Sequence, residues 1–156
     1  MMKTPKIGCV FEMPVNAGYA YGQYVFHHSE RGALVGIYDS TFTSHLRSGV
    51  ALAGIPFRFV VHFPVRAAAR QGWIQLIDEL PVPREYESYP KLRNGFPDKN
   101  GKVHKWWIND GNRDVPVSNA LDVKYLSELR TVDIGYLEQL INEGWIPEKE
   151  WLDTRP

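Results

Sequence analysis

Apolar and polar positions alternate with a period of two through the first half of the chain and shift to helical spacing only near its end. From Ile7 to Met13, Cys9, Phe11 and Met13 fall on one face of an extended segment, with Val10 and Glu12 on the other. Asn16-Ala17-Gly18 is a turn signal, and Tyr19 to Phe26 follows as an aromatic-rich strand. Gly22 inside that strand marks a bulge or a close backbone approach. Ser29-Glu30-Arg31-Gly32 is the next turn, and Ala33 to Tyr38 completes an antiparallel meander of three strands. Residues 39–55 carry Asp39, Ser40, Thr41, Thr43, Ser44 and His45 before a run of small residues, which predicts a loop with one helical turn. The cleanest alternation runs from Phe57 to Phe63. It sets Phe57, Phe59, Val61 and Phe63 against Arg58, Val60 and His62, and Pro64 ends it.

Ala67 to Arg70 suits a short helical turn before Gly72, and Trp73 to Ile77 a strand closed by Pro81 and Pro83. Residues 84–105 form the longest polar stretch; unstructured connections beyond ~12–15 residues are usually functional or disordered. Val103 to Asn109 reads as a strand, and Asp110-Gly111 as a type I′ hairpin turn. Arg113 to Val117 returns from it, with Pro116 placing that strand at a sheet edge. Then the period changes. Ile134, Leu137, Leu140 and Ile141 lie at helical spacing, with Asp133 as cap, Gly144 as left-handed stop and Pro147 beyond. A less regular helical turn is expected over Asp122 to Leu129. With no internal repeat or linker, the pattern predicts a single domain over residues 1–156. A β-rich barrel fills 7–117 and a C-terminal helical segment fills 120–146.

Composition narrows the function classes. Lysine plus arginine and aspartate plus glutamate both count 18, so the formal charge is zero, which argues against a dedicated nucleic-acid or membrane-surface protein. Hydrophobic residues at 44% exclude intrinsic disorder, and a chain of this length buries a core without a disulfide or metal. The one cysteine, Cys9, has no partner for an intramolecular disulfide and reads as a buried, inert thiol. The basic start Met1 to Lys6 is followed by an apolar run that Gly8, Glu12 and Pro14 break too soon for a secretion signal. No stretch approaches the ~18 apolar residues of a membrane span, so a cytoplasmic protein is expected.

Candidate chemistry is sparse. His27 and His28 point to opposite faces of a strand, and His45, His62 and His104 lack metal-ligand spacing, so no metal or cofactor is expected. Asp110, Asn112 and Asp114 alternate like calcium ligands, but Val115 and Leu121 stand where such a loop needs glycine and glutamate. Asp98, Asn100 and Gly101 are explained by turn chemistry. No phosphate-cradling glycine loop or nucleophile elbow occurs. The segment 84–107 is locally basic: Arg84, Lys91, Arg93, Lys99, Lys102 and Lys105 outnumber Glu85, Glu87 and Asp98. Its aromatics and arginine make it the expected partner-binding surface, with Tyr86, Tyr89, Arg93, Trp106 and Trp107 as its anchors. Of the adjacent tryptophans one should face in and one out.

Several segments, in order, are familiar. They are Gly8-Cys9-Val10-Phe11-Glu12-Met13-Pro14, Gly18-Tyr19-Ala20-Tyr21-Gly22-Gln23-Tyr24-Val25, Gly72-Trp73, Trp107-Ile108-Asn109-Asp110-Gly111, and the helix with Leu137 and Ile141. Together they resemble immunity protein family 26 of bacterial polymorphic toxin systems. The chain departs from that pattern at Cys9, where an acidic residue often stands, and in its shorter turn before Tyr19. The resemblance implies a small mostly-β protein, not an enzyme, that neutralises a cognate toxin by direct binding. Arg31-Gly32-Ala33-Leu34-Val35 also resembles a segment of the SH3-like ribonuclease toxins of the PemK type, with Gly32 in place of the usual proline. That likeness keeps two alternatives open, an RNA-cleaving enzyme and a non-catalytic nucleic-acid-binding barrel. The expected fold is mostly β (α+β), a small SH3-like or partly open antiparallel β-barrel with a C-terminal helix. Its expected partner is a toxin protein, with neither nucleic acid nor membrane.

Overall fold

The computed structural model describes residues 4–149. In chain order the strands are β1 (Cys9–Val15), β2 (Gly18–His28), β3 (Gly32–Phe42), β4 (Phe57–His62), β5 (Gln75–Glu79), β6 (Leu92–Pro97), β7 (Val103–Asn109) and β8 (Asp114–Pro116). Two helices, α1 (Val65–Gln71) and α2 (Ile134–Asn142), accompany them. The strands form a five-stranded antiparallel sheet, β4-β3-β2-β1-β5, and a three-stranded one, β6-β7-β8. The fold is mostly β and α+β. The larger sheet is open, because β4 and β5 end at opposite edges, so no SH3-like closure occurs.

Both faces of the larger sheet are covered, which is why its strands carry apolar residues at both parities. On one face Phe11, Met13, Val35, Ile37, Phe59 and Val61 pack with Ala68 and Ala69 of α1 and Leu137, Leu140 and Ile141 of α2. Asp133 caps α2 by accepting from the Tyr136 amide at 2.8 Å, and Gly144 at φ 63° ends it. On the other face Val10, Tyr21 and Tyr38 pack around Leu52, while Val25, Leu34 and Val60 meet Leu92 of the smaller sheet. Each Val, Leu, Ile, Phe or Met among them, fully buried, stabilises the fold by about 1.5–3 kcal/mol. Gly22 sits opposite Phe11, and a Cβ there would lie 2.4 Å from the Phe11 Cζ. Glycine is required so that the ring can lie across β2.

Some elements differ from the sequence expectation. β3 runs on through Asp39 to Phe42, residues expected in a loop, because β2 is long enough to pair Thr41 and Phe42 beyond a register shift. Phe57 turns to the face opposite Phe59, since the β3–β4 register shifts between Ile37 and Tyr38. Within the polar stretch 84–105, residues Leu92–Pro97 form a paired strand, and only a tight turn separates β6 from β7. Trp73 precedes β5 instead of opening it. The β7–β8 turn is not type I′: Gly111 has φ 100° but Asp110 is not in the positive region, and its carboxylate accepts from the Asn112 and Arg113 amides. Helical geometry over Asp122 to Leu129 is confined to a 3-10 turn, Ala120–Val123.

Residues 127–132 do something the sequence pattern does not signal: they join the edges of the two sheets. The Arg93 amide donates to Ser127 O at 2.9 Å, and the Leu129 amide to Arg93 O at 2.8 Å. Three residues on, the His62 amide donates to Arg130 O at 3.1 Å and the Val132 amide to His62 O at 2.9 Å. One short strap thereby satisfies an edge of β6 and an edge of β4, removing exposed backbone from both.

Candidate functional site

The five anchors expected from the sequence fall into two groups. Arg93 is fully buried and Trp106 is 5% exposed, so neither offers its side chain to a partner. The Arg93 guanidinium donates to the carbonyls of Val123, Lys124 and Pro147 at 3.2, 3.3 and 2.7 Å and to Glu128 at 3.3 Å. It lies 5.0 Å from the Trp106 ring centroid, and Trp106 packs with Val103 and Val123. These two residues hold the smaller sheet onto the C-terminal third. Tyr86 and Tyr89 are half-buried, packed against Phe57 and Phe26 respectively, and burial pushes both phenols up to about 12.

Trp107 belongs to the second group. As alternation requires, it faces out where Trp106 faces in. The β6–β7–β8 register lines up Asn94, Trp107 and Pro116 across the outer face. Phe96, 68% exposed, meets the Trp107 ring edge-to-face at 5.6 Å, and the Lys105 ammonium sits 4.9 Å from its centroid. Asn94 donates to the Asp114 carboxylate beside them at 3.3 Å. The result is an exposed phenylalanine against a half-buried tryptophan with a cation beside them, on β6 and β7, whose register shifts at Phe96 between Gly95 and Pro97. The β6–β7 turn is held by Asp98, which accepts from the Asn100 and Lys102 amides and bonds His104 at 2.7 Å. The His104 bond and those two amides hold its carboxyl down at about 2.

Buried polar groups tie the sheets together behind this face. His62 Nδ1 donates to the Ala33 carbonyl at 3.1 Å, which leaves Nε2 to accept from the Tyr89 hydroxyl at 2.6 Å. Burial lowers the His62 pKa to about 4. His28 Nε2 donates to Gly111 O at 2.7 Å, while its Nδ1 accepts from the Glu30 and Arg31 amides. These imidazoles are structural cross-links with both ring nitrogens occupied.

A second polar cluster escaped the sequence reading. Glu12, buried on β1, accepts from the Tyr21 hydroxyl at 2.5 Å and from His45 Nδ1 at 2.6 Å. Tyr21 in turn accepts from the Leu46 amide, and burial together with the Glu12 bond raises its phenol to about 12. His45 stacks on Tyr19 at 3.9 Å. The two-residue turn at Asn16-Ala17 sets Glu12 directly opposite Tyr21, so that pair was legible from hairpin register. The arrival of His45 from the following loop was not. This cluster borders a cleft of about 470 Å³ that Met13, Trp73, Gln75, Ile134 and Glu138 help to line.

Among the described residues no group of three or more His, Cys, Asp or Glu is arranged to hold a metal, and no helix is long and apolar enough to cross a membrane. Comparison with family models, curated proteins and solved structures finds no match to the chain.

Proposed function

We propose that this protein is an immunity protein that neutralises a cognate bacterial toxin by binding it through the outer face of the smaller sheet. The observation that carries the location is exposed Phe96 packed edge-to-face on half-buried Trp107, with Lys105 beside it. Large aromatics beside a cation are what interface centres use. The partner class comes from the resemblance to immunity protein family 26. Inhibition on this reading is steric: the sheet covers the toxin's working surface, and no bond is made or broken.

The test is protection of cells that express the toxin encoded beside this chain's gene. The intact protein should protect, and the Phe96→Ala/Trp107→Ala variant should remain folded and fail to. Arg93→Ala and Trp106→Ala are unsuitable reporters, because both residues are buried in the sheet junction. Full protection by the folded double variant would displace the proposed face. Failure of the intact protein to protect, with degradation of added RNA, would replace immunity by a ribonuclease activity.

A further inference from the structure

The cleft beside Glu12 lies across the molecule's sequence from the proposed toxin-binding strands and shares no lining residue with them. Its walls are set in advance. Tyr21 and His45 each hold one oxygen of Glu12, and the Tyr19 ring is stacked on His45, so these side chains have little freedom left to lose. Against this ordered wall stands Trp73, whose indole is 47% exposed, whereas Trp106 and Trp145 are buried. Leaving an indole half in water next to a concave surface forgoes burial that the fold takes elsewhere.

Charge selects the ligand class. The described residues lining the cleft include two carboxylates, Glu12 and Glu138, one imidazole, His45, and no lysine or arginine. Glu12 is engaged internally, but Glu138 projects from α2 with no hydrogen-bond or ion-pair partner among the described residues. An anion would meet like charge there. A neutral ligand would gain nothing from the Glu138 charge. We propose that the cleft binds a compact organic cation, an ammonium or guanidinium, placed against the faces of Trp73 and Tyr19 with Glu138 as counter-charge. A cation over an indole or phenol face gains from the ring quadrupole, most where water is displaced. The volume is within the ~300–1,000 Å³ range of small-molecule sites. The same chemistry fits a free amine or a basic side chain of another protein.

The test uses the full chain and the indole N–H resonance of Trp73. Argininamide and choline are titrated against their neutral counterparts, citrullinamide and 3,3-dimethylbutanol. Both cations should shift the resonance saturably, and the neutral counterparts should bind at least about tenfold more weakly. Trp73→Ala, followed through backbone amides around the cleft, and Glu138→Gln should each weaken argininamide about tenfold with the melting temperature unchanged. Trp73→Phe, which keeps an aromatic face, should retain most of the binding. An arginine-containing peptide that binds more tightly than argininamide assigns the cation to a protein chain; equal affinity assigns it to a free amine. The proposal is overturned if neither cation shifts the resonance, if the neutral counterparts or glucose bind as well, or if both variants bind like the parent.

Discussion

Arg93 and His62 show how individual buried polar residues set the properties of this molecule. Arg93 spreads its donors over three carbonyls and a carboxylate, a fork that a single ammonium cannot reproduce. Arg93→Lys should therefore lower the unfolding free energy by roughly 3 kcal/mol, measured by urea denaturation, because acceptors are left unmet in a buried site. His62 governs a pH response. Its pKa falls from 6.5 to about 4 on folding because burial disfavours the imidazolium. Between those values the unfolded chain binds a proton that the folded chain does not. Stability is thus full above about pH 6.5 and falls as the pH drops toward 4, by an amount on the order of 3 kcal/mol. Unfolding free energies between pH 7 and 4 should show that decline, and His62→Gln should remove much of it. An equally steep decline in the variant would assign the response to other groups.

At the scale of elements, the strongly periodic segments were legible: β1 to β4 with their meander, β7, and α2 with both of its stops. Their signals are local, an alternation or a cap, and tertiary packing agrees with them. What was not legible depended on pairing. Asp39 to Thr41 is polar, yet the strand continues because β2 pairs Thr41 and Phe42, and β6 hides in a polar stretch because Asn94 to Pro97 are partly or fully exposed. Arg93 looked like an interface residue for the same reason. Only the fold reveals that the C-terminal third lies over it. Trp107 was legible as half of an in-and-out pair, but which tryptophan faces out is decided by the Val123 cluster beneath Trp106. The Glu12–His45 contact spans 33 residues through an irregular loop, and no periodicity reports such a meeting.

For the whole molecule, the strap at residues 127–132 joins the edges of the two sheets. The Arg93 and Leu129 bonds fix the strap to β6 and the His62 and Val132 bonds fix it to β4, so parting the sheets along this seam requires one of the two pairs to break. Hydrogen exchange should show the Arg93, Leu129, His62 and Val132 amides opening with the global unfolding free energy. Markedly faster exchange at Arg93 and Leu129 than at His62 and Val132 would mean that the smaller sheet opens by itself. Such a joint would serve the proposed role, since a binding face presented without reorganisation loses less entropy on association.

The proposed binding of a toxin by this outer face is tested most directly by calorimetric titration of the purified toxin with the intact protein and with Phe96→Ala/Trp107→Ala. The account predicts nanomolar binding, about −12 kcal/mol, by the intact protein and binding at least about 100-fold weaker by the double variant, with matching melting temperatures. No binding by the intact protein, or equal binding by the folded variant, would contradict it.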